Sequence, residues 1–252
     1  LGTELSGVVA DIGATVTRFK LGDEVIAYPG GSLGAHAEYF VMNENGVMAH
    51  KSPKISFEDA ASLSFGGLTA LFFLRDGAKI QPGEEVLVIG ASGNVGSAAV
   101  QIAKHLGARV TAVCSGQNAE LARSIGADEV IDYTNVDWRT RPHASFDVIF
   151  DTIGGARWQH VLPLLRPGGR LCLAVIDSKD IGSLIFARKK GLRLLTGDSK
   201  GSIKDLEYLN QLAERGEFRP VIQSVFSLNQ IVEAHRVVDS GRKKGSVVVK
   251  LE

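Results

Sequence analysis

With 252 residues, 44% of them hydrophobic and 22% charged, the chain has the composition of a globular protein long enough for one large domain or two modest ones. Lys+Arg and Asp+Glu both number 28, so the charge balance favours neither nucleic acid nor an anionic membrane as a partner. No apolar run reaches the roughly 18 residues of a membrane helix, and Cys114 and Cys172, the only two cysteines, read as core residues of a reducing, cytoplasmic compartment.

The sequence opens at Leu1 without a methionine and without the basic and apolar regions of a signal peptide. Its first stretch, LGTELSGVVADIG, reads as the interior of a domain, so a fragment of a longer chain is expected. Residues 1 to 58 read as short strands joined by glycine turns, in SGVVADIG, DEVIAYPGG, AHAEYFVM and GVMAHKS. From Ser56 the apolar spacing becomes helical, with Ser56 and Asp59 as start signals, and Gly66-Gly67 is expected to interrupt it.

The middle of the chain alternates strands and helices. Strands are expected at Val86–Ile89, Arg109–Ser115, Val130–Ile131, Phe146–Phe150, Arg170–Val175 and Leu192–Thr196. Helices are expected near 94–106, 118–125 and 156–165, with Pro163 bending or ending the last. Apolar strands alternating with helices imply a parallel sheet covered on both faces, hence an α/β fold of the doubly wound, Rossmann type. After Lys200 come a helix (IKDLEYLNQLAERG), an extended piece (PVIQSVFSL), a second helix (NQIVEAHRVVDSG) and a last strand (SVVVKL).

The chemistry-bearing stretch is VLVIGASGNVGSAAVQIAKHLGA. Aliphatic residues run into Gly90, Gly93 and Gly96, and an amphipathic helix follows with Val95, Ala98, Ala99, Ile102, Ala103 and Leu106 on one face. Gly107 stands where the helix end needs a residue that tolerates positive φ. A strand, a glycine turn and a helix in this order offer backbone amides to a pyrophosphate. Glycine spacing alone is weak evidence, since plain tight turns use it too, but the flanking strand and helix support a dinucleotide site. Its residues would be Gly90, Ala91, Ser92 and Gly93, with Asn94 and Val95 opening the helix. At the end of the next strand an acidic residue would hydrogen-bond ribose hydroxyls and repel a 2′-phosphate. The chain has Cys114-Ser115 instead, and Ser115 with free backbone amides points to NADPH over NADH, although a short Ser-Gly turn accounts for the same residues.

The stretches GDEVIAY, HAEYFVM, FEDAASLSFGGLTAL, the glycine turn, IGADEVIDYT, FDVIFDTIGG and LLRPGGRL resemble, in order and along the whole chain, the medium-chain dehydrogenase/reductase superfamily. More narrowly they resemble its zinc-independent quinone oxidoreductase branch, which includes zeta-crystallin. The resemblance implies a partial GroES-like β substrate domain at 1–59, an NAD(P)-binding Rossmann domain at 60–197 and a return to the substrate domain at 198–252. It also implies that the opening of the substrate domain precedes Leu1. Zinc-dependent relatives would have Gly-His-Glu where Gly2-Thr3-Glu4 stands and a cysteine near Phe65, so no metal site is expected. The histidines (His36, His50, His105, His143, His160 and His235) show no metal-ligand spacing either.

By the same resemblance Thr69 lies at the nicotinamide end, Tyr133 near the adenosine 2′-phosphate, Lys244 near the cofactor phosphates, and Val175 on the nicotinamide pocket. Each has a plainer alternative: a helix-interior threonine, strand-end packing, a solvated lysine run and a buried strand valine. The implied activity is NADPH-dependent hydride transfer to a small-molecule electrophile, a quinone or α,β-unsaturated carbonyl, with no catalytic acid assigned. An enoyl-thioester reductase and a low-turnover, crystallin-like NADPH-binding protein are the alternatives. GLRLLTG reads as an apolar edge strand, which with the resemblance points to a homodimer.

Overall fold

The computed structural model describes residues 1–155, 158–176 and 191–251, and they form two compact units, Leu1–Leu68 with Lys200–Glu252, and Thr69–Ser199. The first unit holds a three-stranded antiparallel sheet of β1 (Leu5–Val8), β2 (Glu24–Ala27) and β3 (Met48–His50). Val25, Ile26 and Ala27 are its buried strand residues. The expected strand over AHAEYFVM (35–42) does not form: this segment joins no sheet, and Tyr39 and Val41 are 76% and 95% exposed. Alternating apolar residues make a strand only where a neighbour accepts the ladder, and here only the first two residues find one, Ala35 and His36 donating to the Gly2 and Leu1 carbonyls.

Helix α1 (Phe57–Ala61) starts at Ser56, whose hydroxyl accepts the Asp59 amide at 3.0 Å. Helix α2 (Ser64–Ala70) then runs straight through Gly66-Gly67, against expectation. Gly67 serves packing: a β-carbon there would meet Leu209 Cδ1 at 2.7 Å, and Leu209 is fully buried. A seven-residue π-helix, Leu71–Gly77, continues α2.

The second unit is a six-stranded parallel sheet. Its strands are β4 (Glu85–Ile89), β5 (Arg109–Cys114), β6 (Glu129–Asp132), β7 (Phe146–Asp151), β8 (Leu165–Leu173) and β9 (Arg193–Thr196). Their order across the sheet is β6-β5-β4-β7-β8-β9, the doubly wound Rossmann arrangement. Residues on both faces of β4, β5 and β7 are buried, as expected where helices cover a parallel sheet twice. Helix α3 (Asn94–His105) joins β4 to β5, and α4 (Ala119–Ser124) joins β5 to β6. Gly107, at φ 82°, closes α3 with amide bonds from Gly107 to Lys104 and from Ala108 to Ala103.

The expected helix over 156–165 is reduced to α5 (Trp158–Val161) and a 3₁₀ turn at Leu162–Leu164 that carries Pro163; residues 156 and 157 lie outside the described residues. Strand β8 begins at Leu165, earlier than expected, because the pairing with β7 skips from Phe146–Leu165 to Val148–Arg170 and a bulge absorbs Pro167-Gly168-Gly169.

Beyond β9, α6 (Ile203–Glu214) begins at Ser202, which accepts the Asp205 amide at 3.1 Å. It lies along β3 in the first unit, where Asn210 accepts the Ser52 amide at 3.0 Å and donates to the His50 carbonyl at 3.2 Å. Strand β10 (Ile222–Ser227), α7 (Ile231–Asp239) and β11 (Ser246–Lys250) complete this unit, with β10 and β11 paired in parallel.

Gly67→Ala overpacks Leu209 and is expected to lower unfolding stability by about 1–3 kcal/mol. Denaturant titration should give a smaller loss in a Leu209→Val background; an equal loss there would show that Leu209 is not the obstacle.

Candidate functional site

The site is built where β4 ends. Gly90 turns the chain at φ 80°, and a β-carbon on it would meet Ile153 Cγ2 at 2.5 Å and Thr152 Oγ1 at 2.7 Å. Gly93 caps α3 in extended conformation, and a β-carbon there would meet the Gly90 carbonyl oxygen at an ordinary 3.5 Å. A β-carbon on Gly96 would overlap the Gly90 carbonyl oxygen, so this third glycine sets how closely α3 seats on the strand.

Not every amide of the turn is available to a ligand. Those of Gly90 and Ala91 both donate to the Val113 carbonyl at 3.1 Å, and that of Gly93 donates to Gly90 at 3.1 Å. The first bond of α3 runs from Ser97 to the Gly93 carbonyl at 2.8 Å. The amides of Asn94, Val95 and Gly96 therefore stand at the open, positive end of a twelve-residue helix. This end fits an anionic pyrophosphate.

Ser115 follows β5 and faces the turn through a residue the sequence reading passed over. Asn118 is 8% exposed, and its amide nitrogen donates to Ser92 at 3.0 Å and to Ser115 at 3.2 Å. The Gly116 amide is not free, contrary to the reading of this turn from sequence. It donates to Asp132, whose carboxylate also accepts the Thr134 amide at 3.0 Å, the Thr134 hydroxyl at 2.7 Å and Asn135 Nδ2 at 2.7 Å. These bonds, the Thr134 hydroxyl first, hold the Asp132 carboxyl below its ordinary pKa. An acid thus lies beside the β5 end after all, supplied by the end of β6 and occupied in joining the two loops.

The Cys114 thiol is pushed up, by burial and then by Asp132, while Arg123 acts in the opposite sense. Burial lifts Cys172 to about 12. Neither is a nucleophile near neutral pH.

Tyr133 lines a cavity of about 400 Å³ with Gly90, Val113, Trp138, Arg139 and Ile153. Trp138 forms part of its floor and is nearly buried, and Arg139 is paired with Asp137 at 2.6 Å. At the other side of the turn the Asp151 carboxylate accepts the amides of Ile153 at 3.0 Å and Gly154 at 3.1 Å. This fixes the loop after β7 beneath Val175, whose Cγ1 would touch a β-carbon on Gly154 at 3.2 Å. Ile153, Val175 and Ile176 are 60%, 49% and 51% exposed, an apolar shelf at the strand ends.

The second unit thus brings together Gly90 through Val95, Ser115, Tyr133 and Val175. Thr69 lies in α2, half-buried. Lys244 belongs to the first unit, where its amide donates to Gln223 at 2.6 Å.

Residues 1–54 match the alcohol dehydrogenase GroES-like domain family, and residues 125–249 match a family described as zinc-binding dehydrogenase. The zebrafish (Danio rerio) protein named NAD(P)H oxidoreductase RTN4IP1, mitochondrial, is 33% identical over 100% of this chain and 72% of its own length. The quinone oxidoreductase of Pseudomonas aeruginosa is 34% identical over 99% of this chain and 81% of its own. The chain belongs to the medium-chain dehydrogenase/reductase superfamily. The structure of the quinone oxidoreductase from Coxiella burnetii superposes with a TM-score of 0.90 at 28% identity, covering 100% of this chain and 79% of that one.

Membership makes the chain an oxidoreductase of this type with quinone oxidoreductase relatives, and those relatives imply a nicotinamide cofactor. The glycine turn and the open end of α3 fit such a dinucleotide. The zinc in one family's description meets no such fit. Among the described residues no group of three or more His, Cys, Asp and Glu side chains could hold a metal ion, and both cysteines are buried in sheet strands. No described helix is long and apolar enough to cross a membrane.

Gly96→Ala forces α3 off β4 and should abolish the dinucleotide-induced rise in melting temperature while lowering stability. A cofactor-dependent shift equal to that of the wild type, read by thermal denaturation, would refute the role given to this glycine.

Proposed function

We propose that the protein is an NADPH-dependent, zinc-independent reductase of quinones or α,β-unsaturated carbonyls. The observation that carries this reading is the end of β5. Hydroxyls of Ser92 and Ser115 both accept from Asn118 beside the ends of β4 and β5, an arrangement that suits a ribose phosphate, and no carboxylate directly follows β5 in sequence. Asp132 stands nearby, but its oxygens are engaged by Thr134, Asn135 and Gly116. The names of the quinone oxidoreductases similar to the chain support the substrate class. Thr3 and Phe65, at positions where a zinc-dependent relative would carry ligands, offer no nitrogen or thiolate donor.

When bound, a nicotinamide supplies a hydride. The chain's own part is positional. Gly90 and Gly96 set the turn, the amides of Asn94, Val95 and Gly96 orient the phosphates, and Tyr133 with the cavity around it receives the adenosine end. Ile153 and Val175 offer an exposed apolar surface at the other end, against which a bound nicotinamide would displace water. The electrophile is a small molecule, with neither nucleic acid nor membrane as a partner, in keeping with the balanced charge. Two unpaired, buried cysteines agree with a reducing cytoplasm, and localisation of a tagged protein to an organelle would overturn that part. The apolar edge strand β9 agrees with a homodimer, which light scattering at micromolar concentration decides.

NADPH oxidation with a quinone, an enone and an enoyl-CoA in parallel tests the activity. Turnover with the first two is expected, and turnover confined to enoyl-CoA would replace this reading with a thioester reductase. Ser115→Asp should weaken NADPH about tenfold or more through charge repulsion and leave NADH little changed. Wild-type binding of NADH as tightly as NADPH would end the cofactor assignment. Metal analysis should find no stoichiometric zinc.

A further inference from the structure

We infer that Asn118 is the positioning residue for cofactor selectivity: it turns the Ser92 and Ser115 hydroxyls into a paired donor for the 2′-phosphate of NADPH. This rests on the NADPH reading above and names the group that enforces it.

Asn118 ends the 3₁₀ turn Gly116–Asn118 and leads straight into α4, at φ −106° and ψ 2° and not in the extended backbone of a capping residue. The carboxamide turns toward the glycine turn, at the cost of a buried carbonyl oxygen, Oδ1, that has no hydrogen-bond partner. A residue that leaves a buried acceptor unsatisfied is held by its other contacts. Both hydrogens of Nδ2 are used: one goes to Ser92, in the turn between β4 and α3, and one to Ser115, at the end of β5. Rotating the amide by 180° would satisfy Oδ1 but strand both N–H groups in the same buried place, so the orientation follows from the burial.

The consequence lies in the direction of the hydroxyl protons. Each serine oxygen receives a hydrogen bond from Asn118, and neither hydroxyl finds an acceptor among the described residues. Both O–H groups are therefore left to donate to a ligand, from two different loops that Asn118 brings together. A phosphate monoester accepts and does not donate at the pH where it carries two charges, so it suits a pair of donors. A ribose 2′-hydroxyl can still donate to the remaining lone pair of either serine, so the pair favours the phosphate through its two donors and not by excluding the hydroxyl. The nearby charges do not reverse this. The Asp132 carboxylate is directed into its own loop contacts, and Arg123 of α4 adds a positive charge near the β5 end.

The test uses 2′,5′-ADP and 5′-AMP, which differ only in the 2′-phosphate, beside NADPH and NADH, with calorimetry on the purified wild type and variants. Wild type should prefer 2′,5′-ADP. Asn118→Asp, nearly isosteric, replaces the donor by a charged acceptor that draws the two hydroxyl protons inward. It should cut the 2′,5′-ADP/5′-AMP affinity ratio about tenfold or more and leave 5′-AMP within about twofold. Asn118→Ala should cut the ratio about threefold or more, and in a Ser92→Ala/Ser115→Ala background should have no further effect. Equal losses for both nucleotides, or full additivity with the serine changes, would mean that Asn118 is merely structural. A wild type that prefers NADPH, with variants that keep the wild-type ratio, overturns the role of Asn118 alone. A wild type without preference overturns the cofactor reading and this role together.

Discussion

A β-carbon on residue 96 would overlap the Gly90 carbonyl oxygen, so α3 can begin where it does only because two glycines let a helix end rest directly on a strand end. The rest of the nucleotide unit is arranged around that contact. Because α3 is seated so closely, its first amides emerge at the level of the strand tips. The loops after β5, β6 and β7 then have to crowd around the same point. The loop after β7 does so through Thr152, whose hydroxyl donates to the Ile89 carbonyl at 2.8 Å, and through the Asp151 carboxylate that gathers the next two amides. A larger residue at 90 would push this loop away. The two glycines therefore act on opposite faces of the turn, one admitting the helix and the other admitting the loop.

Charge is handled sparingly around this point. The positive potential of the helix end is left open, whereas the acidic side chains nearby are tied up with neighbours. Asp132 is held by hydroxyl, amide and side-chain donors, Asp137 by Arg139, and Asp151 by backbone amides. Each carboxylate fixes a loop, and none is left directed at the space where an anion would lie. In the function proposed above, selectivity falls to neutral hydroxyls, whose meaning depends on which way their protons point. That direction is set by a buried amide one layer deeper, a less conspicuous device than an arginine, held by its two serine contacts.

The sheet was legible because its strands are nearly continuous aliphatic runs between helical periods, and a strand buried on both faces allows few other readings. The glycine turn was legible for the same reason that it works: only residues without side chains fit there. What escaped reading depended on partners distant in sequence. Gly67 looks like a helix breaker until Leu209, from α6, is found against it. AHAEYFVM has a strand's alternation, yet alternation says nothing about whether a neighbouring edge is present. The helix expected over 156–165 ends at a turn carrying Pro163, as that proline implies, whereas the early start of β8 rests on a bulge over Pro167-Gly168-Gly169, and register is not visible in composition. The reading of the β5 end looked for an acid along one strand, while the acid beside it comes from the next.

The same limit explains why Asn118 drew no attention. In sequence it is an unremarkable asparagine in front of a short helix, where its side chain would be assigned a capping role and nothing more. Its significance rests on two facts that sequence does not supply: the unsatisfied oxygen and the two serines within reach. Local rules predict a side chain's behaviour when its neighbours in sequence are its best partners. When a buried polar group pairs instead with residues from two loops, the cost shows that the contact holds those loops in a relation they would not otherwise keep. In this fold the relation is between the end of β4 and the end of β5, the two tips that an adenosine ribose has to bridge.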